Sequence, residues 1–342
     1  MVRRAFPLLF TLVACASDAP PVTASSWPEA DALFTRDPRW LGADGAYTVD
    51  LGGDRVLWLF GDTFLARAPG GGADDAFFLR NTVAVQTGRD PSRAFMQFGW
   101  GVDENGGPRS FVPQDGADWF WPGGGARLGD VLVLFYGRIR TPDDDPSGFE
   151  SVGFRVIVVD NPDDDPSKWA MRDGVVPDTG GLDPGNGAIV VGDYFYMYAG
   201  DGGVPHDAYL VRWSVDDAAQ GDLSHPTWWC GDGWRATCAD GRAVVVPEGA
   251  PEFSVQPGGS LAPYVMVQTE GVGAATLALR TAPAPEGPWS APQSFFRPPE
   301  SREGDPEVYA GKAHVELVGG DLVATYVSAD LYRPRFVRVR YR

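Results

Sequence analysis

The chain is poor in positive charge. Its 342 residues carry 28 Lys plus Arg against 46 Asp plus Glu, a net charge of −18. Lysine occurs only as Lys168 and Lys312. A nucleic-acid partner is excluded, because phosphate binding needs a cationic surface that releases counterions. Acidic polysaccharides and anionic lipid faces are disfavoured on the same ground, whereas a neutral glycan is not opposed. Histidine is scarce too, at His206, His225 and His314. None has the paired spacing of a catalytic zinc site. There is no Gly-x-Ser-x-Gly elbow, no WD-type repeat and no Ser-x-Asp-x-Gly-x-x-Trp box. Sustained helical periodicity is absent, as is any apolar run long enough to span a bilayer.

What is abundant is glycine (44), proline (30) and aromatic residues (12%, with 12 Trp). That mixture suits many short strands joined by tight turns.

Arg3 and Arg4 precede an apolar run, Ala5 to Ala14, that ends in Leu12-Val13-Ala14-Cys15. The run is too short to cross a membrane and reads as a targeting segment. Its end resembles the lipobox of bacterial lipoproteins. That likeness implies a signal peptide over 1–14, acylation of Cys15 and a flexible tether through residue 35. The alternative is an ordinary signal peptide cut near Ala14 or Ala16. The protein is expected to be exported and anchored in the cell envelope by lipid on Cys15. Cys230 and Cys238 are expected to pair as one loop disulfide in an oxidising compartment. A metal pair there would lack further His or Cys ligands.

From residue 36 onward a unit recurs: a glycine-rich entry, an apolar strand, a Gly-Asp or Gly-Gly turn, and a second strand. It is seen in Asp44 to Phe60, Gly123 to Tyr136, Gly185 to Tyr198, Ser254 to Gln268 and Gly311 to Tyr326. Five units of four strands each predict an all-β, five-bladed β-propeller over 36–342. The fourth strand of the last unit is expected from Ala32 to Thr35, closing the ring. His314 to Val318 is read as the first strand of that unit.

A propeller offers a funnel at the starts of its inner strands. The residues expected there are Asp44, Trp119 to Trp121, Asn186, Glu252 with Ser254, and His314. Paired carboxylates beside a sugar act as general acid and base, and tryptophan faces stack on sugar rings. Asp44 precedes glycine, so it is either a funnel acid or a turn residue. Asp62 ends the apolar run Trp58-Leu59-Phe60-Gly61, so it is either a buried acid with raised pKa or a cap on backbone amides. His314 is either a sugar contact or a satisfied core histidine. The runs Pro142 to Ser147 and Pro162 to Ser167 each hold three aspartates and read as solvated loops, with structural calcium the alternative. No other cofactor or metal is called for.

The run Trp40 to Phe64, with Arg80-Asn81-Thr82, Pro251-Glu252-Phe253-Ser254 and Lys312-Ala313-His314, resembles the domain-of-unknown-function 4185 family. That family is linked to glycoside hydrolase family 183, whose studied members are endo-acting D-arabinanases. The resemblance implies a five-bladed propeller and two essential aspartates, carried here onto Asp44 and Asp62. Glu252 is a third acid by funnel position. Asn81, Trp119, Trp121, Asn186 and His314 are expected to bind the sugar. The function expected is hydrolysis of glycofuranosidic bonds in an arabinan-type polysaccharide by a monomeric, exported enzyme. The alternatives are a non-catalytic glycan-binding propeller on the cell surface and a structural scaffold.

Overall fold

Apolar runs such as Val56-Leu57-Trp58-Leu59-Phe60 are buried along their whole length. A strand can do that only with packing on both faces, so each sheet must be sandwiched between neighbours. The computed structural model describes residues 22–145, 148–200, 202–271, 275–301, 308–330 and 332–341. Strands dominate, and the two α-helices among the described residues, Pro28–Asp31 and Val215–Gln220, are short.

Among the described residues are seven antiparallel sheets, two of them small (Trp40–Ala43 with Thr63–Ala66 and Ala76–Leu79, and Gly101–Val102 with Pro108–Arg109); the five larger ones follow one another along the chain. The first holds Tyr47–Gly52, Arg55–Phe60, Thr82–Thr87 and Phe95–Gly99. The second holds Trp119–Leu128, Val131–Arg140, Glu150–Val159 and Met171–Asp173. The third runs from Asp183–Val191 through Tyr194–Gly200 and His206–Ser214, with three further strands up to Val244–Gly249. The fourth holds Phe253–Pro257, Tyr264–Glu270, Thr276–Ala282 and Gln293–Phe296. The fifth holds Val308–Ala313, Leu322–Ser328, Arg333–Tyr341 and, from the other end of the chain, Val22–Ser26.

The first strands of sheets one to five lie beside one another in that order. They approach so closely that glycine is needed. A Cβ on Gly123 of the second sheet would come within 2.6 Å of the Gly185 carbonyl oxygen of the third. Between the fifth and first sheets, Phe34, Trp40, Trp58, Phe60 and Phe336 form a buried aromatic core, with Phe34 stacked on Phe336 at 5.1 Å.

Three expectations are corrected here. The closing strand does come from the N-terminal side, but it is Val22–Ser26, paired with Arg333–Tyr341 from Val22↔Tyr341 to Ser26↔Val337. Ala32–Thr35 is instead a 3-10 turn whose Leu33 and Phe34 are buried. Residues 22–35 are therefore part of the folded body, not tether. Finally, the inner strand of the fifth sheet is Val308–Ala313, and His314 lies just past its end. The signal peptide over 1–14 and the acylated Cys15 lie outside the described residues.

Cys230 and Cys238 form the expected disulfide. In the second aspartate run, Asp163 pairs with Arg127 at 2.6 Å and Asp165 caps Ser167. Among the described residues no group of His, Cys, Asp or Glu could hold a metal ion.

Candidate active site

Asp44 sits between the strand Trp40–Ala43 and the inner strand Tyr47–Gly52. Asp62 lies two residues past the second strand, Arg55–Phe60, which pairs antiparallel with the inner one. In a hairpin the start of one strand meets the end of the next, which is why eighteen positions of sequence bring the two aspartates side by side. The two segments are clasped by backbone bonds, Gly61 N donating to Asp44 O at 3.0 Å and Asp44 N to Asp62 O at 3.4 Å. Both acids thus belong to one end of the first sheet.

Their surroundings differ. Asp44 Oδ2 accepts from the hydroxyls of Tyr309 and Tyr332, each at 3.1 Å. Its other oxygen lies over the α-carbon of Gly61, where any Cβ would collide with it. Burial, and then the nearby charges of Glu252 and Asp62, push the Asp44 carboxyl up to about 7, against the pull of the two tyrosines. Asp62 Oδ1 accepts from Trp121 Nε1 at 2.9 Å, and Oδ2 from Arg80 at 3.2 Å. Burial raises Asp62 as well, while Trp121 and Arg80 draw it back. Of this pair, Asp44 is the better proton holder and Asp62 the better anion.

Glu252 enters from the segment before the fourth sheet and accepts from Lys312 Nζ at 2.5 Å. Lys312 is 1% exposed, donates also to Gly45 O at 2.7 Å, and lies over the Tyr47 ring at 4.2 Å. Burial lowers the lysine and Glu252 raises it back. The three sequence-predicted acids therefore share one site.

An aromatic rim surrounds them. Tyr332 packs on Phe64 and Phe64 on Phe78. Arg80 lies between the rings of Phe78 and Trp119, at 4.9 and 4.1 Å. Trp121 carries Phe149 against it at 4.7 Å, and Phe149 is 63% exposed. Backbone strain gathers here too. Among the described residues, three of the four non-glycine residues with positive φ are Ala46, Ala310 and Tyr332, all within or beside the acid cluster.

Trp121 thus stands where expected, and Trp119 supports Arg80 from a buried position. Two expected sugar contacts are corrected. Asn81 is 1% exposed, with its amide donating to Val112 O and Phe120 O and accepting from Val112 N, so it ties loops together. His314 is buried against Trp58, bonded on Nδ1 by Thr48 and on Nε2 by Thr325, and burial brings it down to about 3. It is a neutral core histidine. Asn186 is half-occupied: its oxygen accepts from Tyr47 and Phe253 N, and its nitrogen donates to Pro251 O beside Glu252. The residues missed by sequence reasoning are Arg80, Tyr309, Lys312 and Tyr332. Arg80 and Lys312 lay inside the quoted Arg80-Asn81-Thr82 and Lys312-Ala313-His314 motifs, next to the residues chosen instead.

Below the acids an axial cavity of about 250 Å³ runs between the five inner strands, from Tyr47 and Lys312 towards Asp50, Arg127 and Glu316. Neither Asp44 nor Asp62 lines it.

Comparison with solved structures identifies the fold as a β-propeller. A protein of Bacteroides ovatus ATCC 8483, provisionally described as a hydrolase, aligns with a TM-score of 0.71 and 19% identity, over 93% of this chain and 90% of its own. A GH43_1 enzyme from Xanthomonas citri complexed with xylotriose aligns with a TM-score of 0.51 and 13% identity, over 91% of each chain. No curated protein matches. A family model, that of a domain of unknown function (DUF5005), matches residues 29–341, which is a different family from the one the short motifs resemble.

Proposed function

The chain belongs to the domain-of-unknown-function DUF5005 family, and we propose that it is a glycoside hydrolase that cleaves glycofuranosidic bonds of a neutral, arabinan-type polysaccharide. One observation carries this reading: two adjacent carboxyls stand in opposite surroundings, Asp44 buried and bonded by the hydroxyls of Tyr309 and Tyr332, Asp62 paired with the Arg80 cation. The five sheets are read as five blades of one ring.

Asp44, protonated, gives its proton to the leaving glycosidic oxygen as the C–O bond breaks. Asp62, ionised, takes a proton from the water that adds to the anomeric carbon. Solvent then returns each carboxyl to its starting state. Trp121 and Phe149 supply faces for the sugar, and Glu252 adds negative charge beside the developing oxocarbenium ion. A neighbour of similar fold, the GH43_1 enzyme, is complexed with xylotriose, a sugar oligomer, which is in keeping with a glycan substrate. The exported, Cys15-acylated reading is part of the same proposal, and Cys15→Ser, expected to move the protein from membrane to soluble fractions, tests it.

The test of activity is to incubate the domain from residue 22 onward with arabinogalactan and with plant arabinan, and to look for released oligosaccharides. Release that disappears in both Asp44→Asn and Asp62→Asn supports the assignment. Full activity in either variant ends it. Tight binding without cleavage in the wild type would make the protein a glycan-binding propeller.

A further inference from the structure

Lysine is nearly absent from this chain, yet one of its two copies is buried at the centre of the acid cluster. Lys312 comes from the inner strand of the fifth sheet, Val308–Ala313. Its ammonium bonds the Glu252 carboxylate from the fourth sheet's entry and the carbonyl of Gly45, the residue after Asp44. A third, longer bond goes to Ala310 O at 3.4 Å. The Tyr47 ring covers it, and Tyr47 in turn donates to Asn186 of the third sheet at 3.1 Å. One buried cation therefore joins three sheets directly, and a fourth through Tyr47, at the point where Asp44 leaves its turn. Ala46 and Ala310, both at φ 55, flank that point. Such strain persists only where surrounding contacts over-determine it. A buried ammonium is costly unless it is paired and fully bonded, so three acceptors and a ring around it mark a site built for charge.

We propose that Lys312 is the positioning residue of this site, a buried cation that fixes Glu252 to the turn carrying Asp44 and sets the charge that Asp44 feels. It does not touch the substrate. It separates the acidic mouth from the axial cavity and acts through the two acids. The proposal rests on the hydrolase reading only for its kinetic consequence.

The groups facing Asp44 are Asp62, Glu252, Lys312 and the hydroxyls of Tyr309, Tyr332 and Tyr47, with Arg80 behind Asp62. Replacing Lys312 alone would strand Glu252, so the charge-balanced background is the cleaner test. The measurement is the pH titration of the Asp44 carboxyl carbon by NMR, assigned as the resonance lost in Asp44→Asn. In Glu252→Gln the neighbouring anion is gone and Lys312 remains, so Asp44 should titrate lower than in the wild type. Adding Lys312→Met removes only the cation, and the titration should climb back by about one pH unit. Replacing a buried ion pair by neutral residues of similar shape is tolerated, so the double variant is expected to fold. Identical titrations in Glu252→Gln and in Glu252→Gln/Lys312→Met would overturn the proposal. Arabinan hydrolysis in the same proteins reports separately. Its absence in the wild type defeats the hydrolase reading, while the titration still decides on Lys312.

Discussion

Asp44 is worth most to the protein in the protonated state. Its carboxyl is raised to about 7 from an ordinary value of 3.8, chiefly by burial. The fold therefore favours the neutral acid, and that contribution is complete below about pH 4 and lost as pH rises through 7. Asp44→Asn mimics the neutral form at every pH. Its melting temperature should exceed the wild type's at pH 8.5 and match it near pH 4, while activity falls by about 10²–10⁴-fold. A constant gap across pH would mean that Asp44 is not the titrating group. Wild-type activity should decline above about pH 7 as the proton donor ionises. Gly61 makes a second test. A Cβ there strikes the Asp44 carboxylate without demanding an unusual backbone angle. Gly61→Ala should cost on the order of 10² in kcat through misplacement, with little change in melting temperature. Asp62 stood out in the sequence as an acid at the end of an apolar run, Asp44 by its place before the first inner strand, and their pairing came from the family resemblance. Arg80 and Lys312 did not stand out, since a residue's partners across a ring come from distant positions: Tyr309 and Tyr332 reach Asp44 from more than 260 residues away. Asn81 and His314 have the chemistry of sugar contacts, and only burial shows that their polar atoms are already taken.

At the level of strands, the middle of each sheet was easy to read and its two borders were not. Runs such as 195–199 and 322–327 are buried from both sides and so are mostly apolar. Inner strands carry glycine and polar residues because they line the axis at close approach, which is why Val308–Ala313 was mistaken for the more apolar-looking stretch after it. Val22–Ser26 is small and polar, with its last two residues exposed, and has the composition of a tether. Its role is decided by what it covers. It pairs along the C-terminal half of Arg333–Tyr341, from Val337 to Tyr341, and leads into Trp27, 3% exposed, whose ring fills the space over Gly319. Trp27→Ala should cost about 3–5 kcal/mol by leaving a cavity in the closing core. Deleting residues through Ser26 should expose that edge and produce both a lower denaturation midpoint and concentration-dependent aggregation. A truncated protein that remains monomeric with an unchanged midpoint would show that the ring closes without this strand.

For the whole molecule, the acid site exists only when the ring is complete. The first sheet gives Asp44 and Asp62, the second Trp121, the third Asn186, the fourth its entry residue Glu252, and the fifth Tyr309, Lys312 and Tyr332. The same chain carries a net charge of −18, and many of its cations are tied to neighbouring aspartates, as in Arg138 with Asp115 and Arg155 with Asp173. An approaching polyanion meets repulsion that is strongest at low salt, where the Debye length is about 30 Å at 0.01 M. A neutral glycan meets none, and on the proposed reading it would bind through ring faces such as Phe149 and Trp121, which salt does not screen. Hydrolysis of arabinan should therefore change by less than about twofold between 0.01 and 0.5 M NaCl. Phe149→Ala should raise KM several-fold and leave kcat nearly unchanged, since the exposed ring contributes binding shared by ground and transition states. Polygalacturonate added as a competitor should fail to inhibit at 0.01 M salt. Inhibition there would show that the mouth presents a cationic face to the polymer, and that Arg80 serves the substrate and not Asp62.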